Sequence, residues 1–233
     1  MRELVLDTET TGFEPSEGHR IVEIGAVELV NLMPTGRTYH QYINPERDMP
    51  QGAFEVHGLS EEFLSDKPVF SEIVDAFLGF VGDARLVIHN AAFDMKFLNA
   101  ELDRAAKPVL PPEQAFDTLA YARRKFPGAP ASLDALCRRF GIDNSARTKH
   151  GALLDSEILA EVYLELLGGL QPDFALSAEP AARNGADGAG APTPLPRRPT
   201  PLPARLTEAE TNAHRDFVAK LGENAVWHRY LRA

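Results

Sequence analysis

The sequence predicts an α/β fold, a mixed sheet covered by helices, followed by a flexible linker and a short helical tail. Three observations carry this. Strand-like runs cluster at the N-terminus and then give way to strands alternating with helices, the pattern of a layered α/β domain. Of 233 residues, 44% are hydrophobic, enough for a packed core. Composition then changes abruptly after Leu176.

The elements follow in order. Glu3 to Asp7 reads as a first strand, entered directly from Met1-Arg2, so the N-terminus reads as mature domain sequence and not as a signal peptide. Arg20–Val30 and Arg37–Ile43 read as a second and third strand, with Met33-Pro34-Thr35-Gly36 as the turn between them. Pro68 introduces an apolar-periodic helix over 69–81, and Arg85–Ile88 is a short strand. A helix over 92–105 puts Phe93, Phe97 and Leu98 on one face. Helices over 118–125 and 133–140 follow, the second with Ser132 as its N-cap. The last domain helix spans 152–167 and stops at Gly168-Gly169.

Residues 177–205 hold seven of the eighteen prolines and almost no bulky apolar side chains, so they bury too little to offset ordering entropy and read as a linker. The glycines at 185, 188 and 190 follow no strand and do not make a phosphate loop. Thr207-Glu208-Ala209-Glu210 is a capping box, and Ala213, Phe217 and Leu221 recur every four residues up to Gly222. Residues 206–233, closing with Trp227, are too few to fold alone and need a partner surface.

Apolar stretches fall short of the roughly 18 residues needed to span a bilayer, which argues against a membrane partner. The lone Cys137 excludes an internal disulfide and fits a cytoplasmic location. Net charge is −10, unevenly spread: residues 177–233 carry eight Lys and Arg against six Asp and Glu, leaving −12 for residues 1–176. A freestanding nucleic-acid binder carries a basic footprint, because phosphate neutralisation supplies most non-specific affinity. The domain lacks one.

Three blocks carry the chemistry: Asp7-Thr8-Glu9-Thr10-Thr11-Gly12, His89-Asn90-Ala91-Ala92-Phe93-Asp94 and His150-Gly151-Ala152-Leu153-Leu154-Asp155. Asp7 and Glu9, two apart at a strand end, point to one face. Asp94 near a helix start and Asp155 on the last domain helix can return carboxylates to the same edge. Four such oxygen donors repel one another unless cations intervene, and Mg²⁺ or Mn²⁺ are the matching ions. Two of them, about 3.5–4 Å apart, stabilise the attacking and leaving oxygens of a phosphoryl displacement. His150 can take a proton near neutral pH. Taken singly, each block also fits an ordinary turn, cap or solvated helix position.

Together the blocks resemble the three motifs of the DEDDh 3′–5′ exonucleases, whose fold is ribonuclease H-like; His150-x-Ala152-x-x-Asp155 matches the histidine subtype. The resemblance spans residues 1–170. It implies that Asp7 bridges two metals, that Glu9 and Asp155 complete the first and Asp94 supports the second, and that His150 is the general base. It further implies that Thr8, Thr10, Val56, His57, Asn90 and Phe93 line a pocket for the 3′-terminal nucleotide, with 53–59 as the segment around it. Val56 and Phe93 also fit plain core positions.

The tail is similar to that of the epsilon-type (DnaQ-like) proofreading subunits of bacterial DNA polymerase III. By that resemblance, residues 206–233 dock on the polymerase alpha subunit through Phe217, Leu221 and Trp227. Gln171, Phe174 and Leu176, within 171–176, look like a sliding-clamp-binding peptide, although a domain-end strand is a rival there. The implied substrate is a single-stranded 3′ end of DNA. A stand-alone exonuclease acting on RNA or small oligonucleotides shares the same site. A non-catalytic scaffold is disfavoured by the presence of all five candidate catalytic residues.

Overall fold

In the computed structural model, residues 1–145, 147, 149–169, 206–222 and 227 are described. The chain divides into two units, Met1–Leu176 and Ser177–Ala233.

The first unit is built on a five-stranded sheet of order β3-β2-β1-β4-β5. Its strands are β1 (Arg2–Thr10), β2 (Ile21–Val30), β3 (Met33–Tyr42), β4 (Arg85–Ile88) and β5 (Ala115–Asp117). β1, β2 and β3 form an antiparallel meander, while β4 and β5 run parallel to β1. Among the described residues of this unit the α-helices are α1 (Gln51–His57), α2 (Glu61–Leu64), α3 (Phe70–Val81), α4 (Ala91–Arg104), α5 (Thr118–Lys125), α6 (Leu133–Phe140) and α7 (Ala152–Leu167). Ser132 caps α6 by accepting from the Ala135 N–H at 3.3 Å.

Strand alternation builds two cores on opposite faces of the sheet. Leu4, Leu6, Leu86 and Ile88 pack with Phe70, Phe77, Phe97 and Leu98 of α3 and α4. Val5 and Val87 pack on the other face with Leu136 of α6 and Ile158, Leu159, Val162 and Tyr163 of α7. The odd positions of β1 therefore look toward α7. Buried Glu3 accepts from the Tyr163 hydroxyl there at 2.8 Å, and Asp7 and Glu9 continue the same row.

α7 lies almost on the sheet. A Cβ on Gly25 would come within 2.2 Å of the Ala152 and Leu153 backbone, and the Ser156 hydroxyl donates to the Gly25 carbonyl at 3.0 Å. Only a residue without a side chain lets the helix settle this close.

Three sequence expectations need correction. Met33–Gly36 is not the turn: Met33 already pairs with Val30, and the reversal is made by Asn31 and Leu32, with φ of 51° and 66°. A two-residue hairpin of type I′ needs positive φ at both positions, which Asn supplies readily and Leu disguises. The first strand runs three residues past Asp7, to Thr10. The helices α1 and α2 and the three-residue β5 were not anticipated as elements, being too short to show a period.

The second unit contains α8 (Glu208–Lys220). Thr207 Oγ1 accepts from the Glu210 N–H at 3.3 Å, and the Glu210 carboxylate accepts from the Thr207 N–H at 2.8 Å, a complete capping box. Phe217 and Leu221 are exposed, and Trp227 meets His214 edge-on with ring centroids 5.1 Å apart. Gln171, Phe174, Leu176 and the 177–205 linker lie outside the described residues. Among the described residues no helix is long and apolar enough to cross a membrane.

Candidate active site

The parallel strands β1, β4 and β5 end at one edge of the sheet, and the chemistry-bearing side chains gather there. Asp7 and Glu9 come from the end of β1. Asp94 sits in the first turn of α4, directly after β4, and Asp117 closes β5 and caps α5 through its Oδ1. Asp155, in the first turn of α7, reaches the same edge from the other face. Open α/β sheets place their sites at the carboxyl ends of strands, where chain crossovers leave a crevice.

Parity of β1 decides what each neighbour does. Thr8 points opposite to Asp7 and Glu9, toward α4. There both its N–H and its hydroxyl donate to Asp94 Oδ1, at 3.1 and 2.7 Å. One Asp94 oxygen is thus committed to Thr8. Ligand atoms of Glu9, His150 and Asp155 all lie within 4.8 Å of one another, close enough to share an ion.

The electrostatics are severe. Burial, then Asp94, Glu9 and Asp155, hold the Asp7 carboxyl well above its ordinary range. Burial, followed by Asp155 and Glu23, pushes Glu9 up to about 8; Glu23 pairs directly across the β1–β2 ladder from it. Burial also raises Asp94 to about 7 against the pull of its Thr8 hydrogen bonds. A carboxylate set that resists ionising in its own company is matched by divalent cations with oxygen ligands. The donor set fits such ions.

Sequence reasoning missed Arg147. Its Nε and Nη2 donate to the two oxygens of Asp155 at 2.5 and 2.8 Å, its Nη1 to Asp134 Oδ1 at 3.0 Å, and its Nη2 lies 2.9 Å from His150 Nδ1. One signal was available: four carboxylates need a counter-charge, and Arg147 stands three residues before His150, just ahead of the third block.

His150 lies in the loop before α7, half-exposed, with its backbone N–H donating to the Val56 carbonyl at 3.2 Å. Burial and the Arg147 charge lower its pKa below the usual imidazole value, which keeps it neutral at pH 7. The contact to Val56 ties this loop to α1. Lys149 reinforces the tie through its stem, which fills the space a Cβ on Gly58 (φ +76°) would need.

Beside the carboxylates opens a cleft of about 460 Å³ lined by Thr8, Thr10, Val56, His57 and Phe93 among others, with Phe13 at 81% exposure on its wall. Val56 is 46% exposed, so it is not plain core, whereas Phe93 also packs on the core beside Phe97. Buried His57 accepts from the Leu59 N–H at Nδ1 (3.0 Å). Its Nε2 is left as a donor with no well-formed hydrogen bond; the Thr10 carbonyl is nearby. Burial, then Lys149, lowers the His57 pKa to about 4, so the ring is neutral. Asn90 does not line this cleft. It caps α4 in the left-handed region (φ 68°), its N–H donating to Asp117 at 3.3 Å.

Sheet order, flanking helices and carboxylates at the strand ends define a ribonuclease H-like exonuclease domain, a fold class that works with divalent metal ions. An exonuclease family model (RNase T type) matches residues 4–163. The sequence is 49% identical over 233 residues to a DNA polymerase III subunit epsilon of Rickettsia conorii, covering 97% of this chain and 98% of that one. With the Escherichia coli subunit epsilon it shares 45% over 237 residues, 97% of each chain. The chain belongs to this exonuclease family, in the branch of the DNA polymerase III epsilon subunits.

Among solved structures, Exonuclease X in complex with 5′-overhanging duplex DNA is 25% identical, with a TM-score of 0.54 over 71% of this chain and 90% of that one. The nuclease domain of 3′hExo, a DEDDh family member bound to rAMP, is 20% identical, with a TM-score of 0.60 over 71% and 91%, and shares the fold.

Proposed function

We propose that this chain is the proofreading 3′–5′ exonuclease of a bacterial replicative polymerase, removing nucleotides from single-stranded 3′ ends of DNA as nucleoside 5′-monophosphates. The observation that carries it is the meeting of Asp7, Glu9, Asp94 and Asp155 at one sheet edge, beside a largely apolar cleft. Two Mg²⁺ or Mn²⁺ ions are the proposed cofactors. Glu9 and Asp155 would hold one, Asp94 the second through its remaining oxygen, and Asp7 both. Bound there, they supply Lewis acidity at the scissile phosphate and make a water nucleophilic at neutral pH. Neutral His150 would take a proton from the attacking water as general base. Val56 and Phe93 pack the terminal base, and His57 lines the cleft beside them.

Polymerase association is supported by the epsilon relatives, which match nearly the whole length. The alpha subunit is the proposed partner of 206–233, through Phe217, Leu221 and Trp227. Residues 171–176, with Gln171, Phe174 and Leu176, are proposed to engage the sliding clamp. The tail assignment has a direct test. A chain ending at Leu176 should keep nuclease activity on single-stranded DNA and stop co-eluting with the polymerase; continued co-elution would refute the docking role. Rates on matched DNA and RNA oligonucleotides test the substrate class, and faster RNA hydrolysis would refute the DNA assignment.

A further inference from the structure

Arg147 grips Asp155 with two donors and rests a third on a different carboxylate. Both Asp155 oxygens are engaged in a fork-like pair, the strongest geometry an arginine offers. Any divalent cation held between Glu9 and Asp155 must take one of those oxygens. It would do so beside a full positive charge. Arg147 and the ion therefore compete, by contact and by repulsion.

The way out is already built. Asp134, in the first turn of α6, accepts Arg147 Nη1 at 3.0 Å and is itself held by Asn144 Nδ2 at 2.9 Å. Asp134 is 47% exposed, whereas Asp155 is 4% exposed. The guanidinium can release the buried carboxylate and remain paired on the outer one.

We propose that Arg147 is an internal stand-in cation that alternates between Asp155 and Asp134, so that this pair of residues sets the affinity of the metal site. The inference rests on the metal assignment above. It differs from a fixed structural bridge in sign: a bridge that only positioned Asp155 would help metal binding, while a competitor hinders it.

The test is calorimetric titration of the full chain with Mn²⁺ alone, without DNA. Arg147→Gln should bind Mn²⁺ about tenfold more tightly than the parent, the scale of an ordinary coupling between two linked ligands. Asp134→Asn should bind it several-fold more weakly, because the displaced arginine loses its outer partner. The double variant should match Arg147→Gln, since Asp134 acts only through Arg147. Melting in chelator gives a second readout: Arg147→Gln should melt lower than the parent and gain more from added Mn²⁺.

Should Arg147→Gln fail to fold, Arg147→Lys, without the two-donor fork on Asp155, should still bind Mn²⁺ more tightly than the parent; the Asp134→Asn arm stands by itself. Equal or weaker Mn²⁺ binding by Arg147→Gln, or unchanged binding by Asp134→Asn, would overturn the competition. If the parent and Asp155→Asn titrated alike, the metal assignment itself would fall, and this inference with it.

Discussion

Glu9 is buried beside Asp155, Glu23 and Asp94, with Arg147 offsetting only part of their charge, and its response to pH follows. In the folded chain Glu9 sits near 8 and Asp94 near 7, against ordinary values of 4.5 and 3.8. Between those limits the folded state holds protons that the unfolded state has released, so the contribution of these two groups to stability is fully present below their ordinary values and is lost as pH rises through the window. In chelator, the melting temperature should decline from pH 5 to pH 8, and added Mg²⁺ should recover more of it at pH 8 than at pH 5. A flat or rising profile would contradict this charge balance. At the same scale, His150→Ala should slow hydrolysis by about 10²- to 10⁴-fold, the usual worth of a general base. The melting temperature should stay close to that of the parent, and a smaller loss of rate would remove His150 from that role. The acidic residues were legible because hard oxygen donors at those spacings have few other uses. Arg147 was only partly legible: its position ahead of His150 signals a nearby counter-charge, but not the contacts it makes with Asp155 and Asp134.

Among the elements, α7 matters most, since it carries Asp155 and packs backbone to backbone on β2 at Gly25. Gly25→Ala should cost about 2 kcal/mol or more by overpacking and should lift Asp155 from the site. The expected readout is a lower melting temperature together with weakened metal binding; a parent-like variant would contradict the close approach. α3 was readable from its apolar repeat and α7 from its length and its Gly168-Gly169 stop, signals that outlast local noise. β5, α1 and α2 span three, seven and four residues, too short for a repeat to declare itself. The hairpin turn was misplaced because Pro34 and Gly36 look like turn residues, while the reversal at Asn31-Leu32 is set by strand register.

At the scale of the whole molecule, the charge distribution joins the site to the tail. A domain of net −12 gains little from phosphate neutralisation, so capture of a DNA end must come from elsewhere. Tethering converts capture into an intramolecular event at high effective concentration. Hydrolysis of a primer end should therefore be faster when the full chain is bound to its polymerase than when the chain ending at Leu176 is merely mixed with it. Equal rates would remove the need for the tether. Metal-dependent cleavage of a 3′-terminal phosphodiester by Asp7, Glu9, Asp94 and Asp155 is the activity proposed. Its most direct measurement is release of nucleotide from a 3′-labelled single-stranded DNA oligonucleotide, comparing parent, Asp7→Ala and Asp155→Asn with and without Mg²⁺ or Mn²⁺. The predicted result is metal-dependent release of nucleoside 5′-monophosphates by the parent alone; release at the parent rate by either variant, or in chelator, would contradict it.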